Sequence, residues 1–209
     1  MALLLFNDNE TTGLDFINDE VWQVHFLAAR TGETRAFDSF TRLITHDTEK
    51  MKKLPEKFQK IHSDIWSNPD YTGLVRTPFA AMKEFLEWRE SIANEGEKAH
   101  FIAANPTFDS IMLMNNQIIP FSVFYQIFDY HLIDIEAFAL GWLRHQELNL
   151  SWSVPSVEAL TPRESFLPFK SDDLSKALGI YNEDAHKHDA ISDVEWLVAM
   201  WKAMNGGKY

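Results

Sequence analysis

The sequence contains no cysteine. Disulfide frameworks, zinc ribbons and thiol nucleophiles are thereby excluded, while a metal site built from carboxylates and histidines stays open. No run approaches ~18 consecutive apolar residues, so no membrane span is expected. The opening MALLLFNDNE carries no basic stretch ahead of its short apolar run, so no signal peptide is expected, and the chain reads as soluble and cytoplasmic. Basic residues are scarce, 19 Lys and Arg against 31 Asp and Glu, for a net charge of −12. A protein that coats nucleic acid through bulk positive charge needs a Lys/Arg surface, so that class is excluded; an enzyme that meets phosphates through bound cations is not. Repeats, low-complexity stretches and an obvious linker are also missing. With 45% hydrophobic residues, positions 1–209 are expected to form one domain with a sizeable core.

What is present reads as alternating strands and helices. Leu3 to Asn9, Val21 to Arg30 and Thr34 to Ile44 have the character of strands, the last two joined by the Thr31-Gly32 turn, which suggests a meander. A helix is signalled by Thr77 as N-cap, Pro78 at the first helical position and a stripe of Phe79, Met82, Phe85 and Leu86. Next come a buried strand at His100 to Ala104, a helix from near Thr107, a strand around Phe128 to Ile133, and helices at Glu136 to Arg144 and Asp189 to Met204. A meander followed by alternation implies a mixed sheet with helices on both faces. Asn149 to Lys170, with Pro155, Pro162 and Pro168, is expected to be an irregular insertion, and its Trp152 and Phe166 suit a lid or a stacking platform as well as plain surface packing. The lysines at 50, 52, 53, 57 and 60 suit either phosphate guidance or a solvated helix face.

Acids interrupt the apolar patterns at four places. The period of two puts Leu4, Phe6, Asp8 and Glu10 on one face of the first strand, two carboxylates after two apolar residues. Asp193 falls on the buried stripe of the last helix with Ala190, Val194, Leu197 and Trp201. Asp109 opens a helix just past the strand ending near Ala104, at the strand edge where open sheets present functional groups. Singly, each has a plain structural explanation: chance in an acidic chain, a favourable helix dipole, a satisfied buried polar group. Four inward acids together are costly unless protonated, paired or metal-bound, and oxygen ligands without cysteine suit Mg²⁺ or Mn²⁺.

The string FNDNETTGL, Phe6 to Leu14, resembles the first motif, D-x-E-T-T-G-L, of the DEDDh group of 3′-to-5′ exonucleases, which includes ribonuclease T and polymerase proofreading subunits. AANPTFD (Ala103 to Asp109) resembles the second motif and HDAISD (His188 to Asp193) the third, H-x-A-x-x-D. IHSDI (Ile61 to Ile65) resembles the I-H-G-I element, and DDLSKALGI (Asp172 to Ile180) the segment before the third motif. Two departures stand out: Ala104 replaces the usual His of the second motif, and Ser63-Asp64 replaces the glycine-containing part of I-H-G-I.

The resemblance implies a ribonuclease H-like fold with a mixed five-stranded sheet, and two divalent cations, Mg²⁺ or Mn²⁺, held by Asp8, Glu10, Asp109 and Asp193. Asp8 would bridge both ions, Glu10 and Asp193 would hold the one serving the attacking water, Asp109 would support the other, and His188 would be the general base. His186 shares the string HKH, but only His188 lies five residues before Asp193 as the motif requires. Substrate contacts implied are Thr11, Thr12, Gly13 and Leu14 at the 3′-terminal nucleotide, with Asn105, Phe108, Ile61 and His62. The expected activity is hydrolysis of single-stranded DNA or RNA from 3′ ends, releasing nucleoside 5′-monophosphates. The alternatives are a noncatalytic module binding nucleic acid or a polymerase on the same fold, and a proofreading subunit serving a partner polymerase.

Overall fold

The structure, a computed structural model, describes the backbone of residues 1–153, 170–181 and 188–209, with side chains up to residue 146 in the first stretch. Its centre is a six-stranded mixed sheet. Strands β1 (Leu3–Thr11), β2 (Val21–Arg30) and β3 (Asp38–Ile44) form the expected antiparallel meander, with Asp8 opposite His25 and Glu10 opposite Gln23. β4 (Val75–Arg76) adds in parallel to β3, β5 (His100–Ala103) in parallel to β1, and β6 (Ile133–Asp134) in parallel to β5, giving the order β4-β3-β2-β1-β5-β6. The sequence expectation of five strands missed β4, because two residues show no period. The strand expected over Phe128 to Ile133 is a single bridge from Phe128 to Ala99, then a turn in which Asp129 Oδ1 accepts the His131 N–H at 2.8 Å, then β6. β3 begins at Asp38 rather than Thr34.

The helices are α1 (Thr48–Met51), α2 (Glu56–Ser67), α3 (Pro78–Ile92), α4 (Pro106–Asn115), α5 (Phe121–Ile127), α6 (Ile135–Ser153), α7 (Ser171–Leu178) and α8 (Ala190–Met204), with a 3₁₀ turn at Pro69–Leu74. One face of the sheet buries Leu3, Leu5, Val24, Phe26 and Phe101 against Ala81 and Phe85 of α3, Met112 and Leu113 of α4, and Phe124 of α5. The opposite face buries Leu4, Phe6 and Ile102 against α6, α7 and α8 through Ile135, Ala139, Leu174, Val194, Leu197 and Met200. Helices thus cover both faces, and strands buried on both sides read as near-continuous apolar runs. A side cluster of Trp22, Leu43, Met51 and Ile65 seats α1 and α2 beside the sheet.

Thr77 caps α3 as expected, its side chain accepting the Ala80 N–H at 3.3 Å. Phe79 does not join the buried stripe and is 71% exposed. Ala81 faces the sheet, and a residue two positions earlier points about 200° away. Helix α6 runs to Ser153, so any irregular stretch begins no earlier than residue 154; residues 154–169, which hold most of the expected insertion with Phe166, and the Trp152 side chain lie outside the described part, as does His186. Among the described residues no helix is long and apolar enough to cross a membrane.

Candidate active site

The parallel pairing of β1 with β5 brings the C-terminal ends of both strands to one edge of the sheet. Asp8 and Glu10 leave β1 there on the face that packs against α8, as their period of two with Leu4 and Phe6 requires. The chain leaving β5 turns into α4, where Asn105 is the N-cap, its side chain accepting the Phe108 N–H at 3.2 Å, and Pro106 occupies the first turn. Asp109 follows within that first turn and is 4% exposed. It is tied back to β1 by Asn9, whose Nδ2 donates to the Asp109 carbonyl at 3.2 Å and to its Oδ1 at 3.3 Å. Asn9 is itself steadied by Asn7, whose Nδ2 donates to Asn9 Oδ1 at 3.2 Å and to the His25 carbonyl at 3.0 Å. α8 then presents Asp193 in its first turn, and donor atoms of Glu10, His188 and Asp193 all lie within 4.8 Å of one another.

The acids act on one another's ionisation. Burial pushes the Asp8 carboxyl well above its ordinary range, and the charges of Asp109, Glu10, Asp193 and Asp189 push it further. Glu10 is pushed up to about 8 by burial and by Asp193, Asp189 and Asp109. Asp109 is pushed up to about 8 by burial despite the hydrogen bonds from Asn9. Asp193 is pushed up to about 7 by burial and by Asp189. A hydrogen bond shared with Asp193 raises Glu10 further. Among the described residues no lysine or arginine pairs with any of these four acids. An oxygen-rich donor set that holds protons for want of a counter-charge suits a hard divalent cation, which would take the place of those protons. Glu10, His188 and Asp193 lie close enough together to hold it, with Asp8 and Asp109 adding their charge to the same field.

The rim residues divide. Thr12 is buried: its N–H donates to the Glu20 carbonyl at 2.8 Å, and its hydroxyl accepts the Glu20 N–H at 2.9 Å and donates to Asp19 Oδ1 at 3.2 Å. Thr11 Oγ1 donates to the Gly13 carbonyl at 2.6 Å. A Cβ on Gly13 would run into the Asp19 carboxylate, so the close approach that requires glycine here is one made by the protein itself. The turn so formed leaves Leu14 81% exposed, and Phe16 beside it packs at 5.4 Å on Phe108. On the other side Ile61 packs into the Trp22 cluster, and His62 Nε2 meets His46 Nε2 at 3.0 Å, with burial lowering its pKa to about 4. Of the five lysines, Lys50 is held by Glu20 at 2.6 Å and by the Asn18 carbonyl, and Lys52 by Glu49 at 2.6 Å, while Lys53, Lys57 and Lys60 are exposed.

Three residues escaped the sequence reading. Asp189 contributes to the field on Asp8, Glu10 and Asp193, although it sits inside the third motif. Gln23 is buried and its Nε2 donates to Asp189 Oδ1 at 2.6 Å; a polar residue inside the apolar run VWQVHF was the available signal. Phe58 of α2 meets the His188 ring edge-on at 4.8 Å, and nothing in a lysine-rich helix singled it out.

No protein-family profile and no curated protein sequence matches the chain. Solved structures do. The zinc-bound Escherichia coli exonuclease I complex with single-stranded DNA superposes with a TM-score of 0.63 at 19% identity, covering 99% of this chain and 41% of that one. The E. coli exonuclease I complex with a dT13 oligonucleotide gives 0.63 at 16%, covering 97% and 40%, and an exonuclease I complex with SSB-Ct gives 0.63 at 15%, covering 99% and 41%. The chain spans about two fifths of the length of these proteins. With its mixed sheet, helices on both faces and this superposition over nearly its whole length, the chain has the ribonuclease H-like α/β fold of exonuclease I.

Proposed function

We propose that the chain is a metal-dependent 3′-to-5′ exonuclease acting on single-stranded nucleic acid ends and releasing nucleoside 5′-monophosphates. The observation that supports this reading best is the grouping of Glu10, His188 and Asp193 at the sheet edge, in the field of the buried Asp8 and Asp109. Mg²⁺ or Mn²⁺, when bound by these acids, would supply the Lewis acidity that in-line phosphodiester hydrolysis needs. The chain's own residues do the rest. His188 takes the proton of the attacking water, the role of a general base. Asn9 and Asn7 hold Asp109 in place from β1, while Leu14 and Phe16, backed by the half-buried Phe108, offer an exposed apolar and aromatic surface against which a terminal base packs.

The alternative of a noncatalytic binding module gives no reason for all five catalytic positions to be present. Single-stranded DNA is the first substrate to try, because the structures matched include exonuclease I holding single-stranded DNA and dT13. Purified protein with Mg²⁺ or Mn²⁺ should shorten a 5′-labelled single-stranded oligonucleotide progressively from its 3′ end. Intact label with DNA, RNA and duplex alike would leave only the binding module, and copurification of a polymerase would mark a proofreading subunit.

A further inference from the structure

The start of α8 is capped from outside its own sequence. A helix N-terminus leaves its first N–H groups without partners, and an Asp at the N-cap normally accepts from them with its own side chain. Asp189 occupies that position but makes no such bond. Its Oδ1 instead accepts from Gln23 Nε2 at 2.6 Å, and the other end of the same amide, Oε1, accepts the Ala190 N–H at 3.2 Å. The two bonds fix the amide's orientation, since only its NH₂ can face a carboxylate and only its oxygen can face an N–H. Gln23 is fully buried on β2, directly across from Glu10 on β1. One side chain therefore ties the first residues of α8 to the strand pair that carries Glu10.

The residue just before this tie is His188. Its backbone φ is +49°, in the left-handed region that residues with a Cβ seldom adopt. The ring is met on one side by Phe58 at 4.8 Å, and a donor nitrogen lies within 4.8 Å of Glu10 and Asp193. Gln23 thus pins the two residues that follow His188.

We propose that Gln23 is a positioning residue: by holding Asp189 and the Ala190 amide it sets the left-handed turn that aims His188 at the Glu10–Asp193 pair. This rests on the exonuclease reading for what His188 does there, but the tie itself is a property of the fold. Gln23→Met keeps the length and burial of the side chain and removes both hydrogen bonds. It should lower kcat by roughly 10- to 100-fold, as misplacement of a catalytic group does, with KM within about threefold and the Mn²⁺-induced rise in melting temperature preserved.

A double-mutant cycle separates positioning from mere support. In the His188→Ala background, Gln23→Met should cost nothing more, because the group it aims is gone. Losses that multiply, or a Gln23→Met enzyme within twofold of wild type, would overturn the proposal. Should Gln23→Met not fold, the bond can be cut from its other end. Asp189→Asn keeps an oxygen that accepts from Gln23 and should retain at least about tenfold more kcat than Asp189→Ala; equal losses would also overturn it. A readout without substrate is hydrogen exchange at the Ala190 amide, which should quicken in Gln23→Met while that of Leu197 holds. An unchanged Ala190 rate would show that the tie does not exist. If wild type is inactive on every substrate, the exonuclease reading fails, and the exchange experiment still decides whether Gln23 holds the turn.

Discussion

Glu97 and Glu10 are the same side chain in opposite settings, one at the far side of the sheet and one at its candidate catalytic edge. Glu97 receives Arg30 Nη1 and Nη2 at 2.9 and 3.2 Å and the Asn94 N–H at 2.9 Å; the Arg30 hydrogen bond is the largest influence holding its pKa down to about 2. Glu84 is likewise lowered, against the opposing effect of burial, by Arg76 and Arg42. Glu10 has acids for neighbours and rises to about 8. Where the fold needs an acid for structure it supplies a guanidinium. At the edge shared by β1, β5 and α8 it supplies more acids, an arrangement that lowers the stability of the empty protein and makes sense when a cation completes it.

The hardest test of this contrast is to remove an acid from each region. Asp8→Asn should reduce nuclease activity by about 10³-fold or more, since it removes a charge on which the site is built, yet raise the melting temperature of the metal-free protein by relieving repulsion among Glu10, Asp109 and Asp193. Retained activity would end the assignment of Asp8 as a cation ligand. His188→Ala comes next, at about 10²-fold or more in kcat, the usual loss of a general base. The rise in melting temperature on adding Mn²⁺ should survive that change, and its loss would make His188 a ligand rather than a base.

A third test needs no mutation. Glu10, Asp109 and Asp193 titrate in the folded protein near 7 to 8, against ordinary carboxylate values of 3.8 to 4.5 in the unfolded chain. Between pH ~4 and ~8 the native state then binds more protons than the unfolded one, so the stability of the metal-free protein falls as pH rises through this window. With divalent ions at about 100 times their dissociation constant, linkage adds about 2.7 kcal/mol, or roughly 5–10 °C for a chain of this size. That gain should be larger at pH 8 than at pH 6, because cations and protons compete for the same oxygens. A metal-free melting temperature that climbs from pH 6 to pH 8 would contradict the clustering.

How much of this was legible in the sequence depends on the range of the signal. β1 and β2 carry long apolar runs; Asp8, Glu10 and Asp193 stood out because each breaks a local period, and Asp109 because it opens a helix at the end of a strand. α1 and α2 did not, since burial there rests on few residues, Met51 and Ile65 among them, in a stretch rich in lysine. β4 and β6 are two residues long and owe their existence to the neighbours they pair with. The tie from Gln23 to Asp189 spans 166 positions, and no local pattern can announce it. The acids could be picked out one by one; Gln23 showed only as a polar residue in an apolar run, and what it, Asn9 and Asn7 hold in place became visible only once the strands were paired.

The smallest expected effect lies at the opposite pole of the comparison. Glu97→Gln removes a carboxylate whose pKa is about 2 when folded and 4.5 ordinarily, a difference worth, after solvent screening of a surface pair, on the order of 1 kcal/mol at neutral pH. Because the folded value is depressed, that stability is present above pH ~4.5 and is lost as pH falls toward 2. The substitution should therefore lower the melting temperature by a few degrees at pH 7 and by little near pH 2.5, where the wild-type carboxylate is itself being protonated. Nuclease activity should be unaffected at temperatures where both proteins are folded, since Glu97 contacts Arg30 and Asn94 and none of the four acids at the edge. A loss of activity without a loss of stability would mean that the Arg30–Glu97 pair communicates with the sheet edge, and that the two regions are not independent.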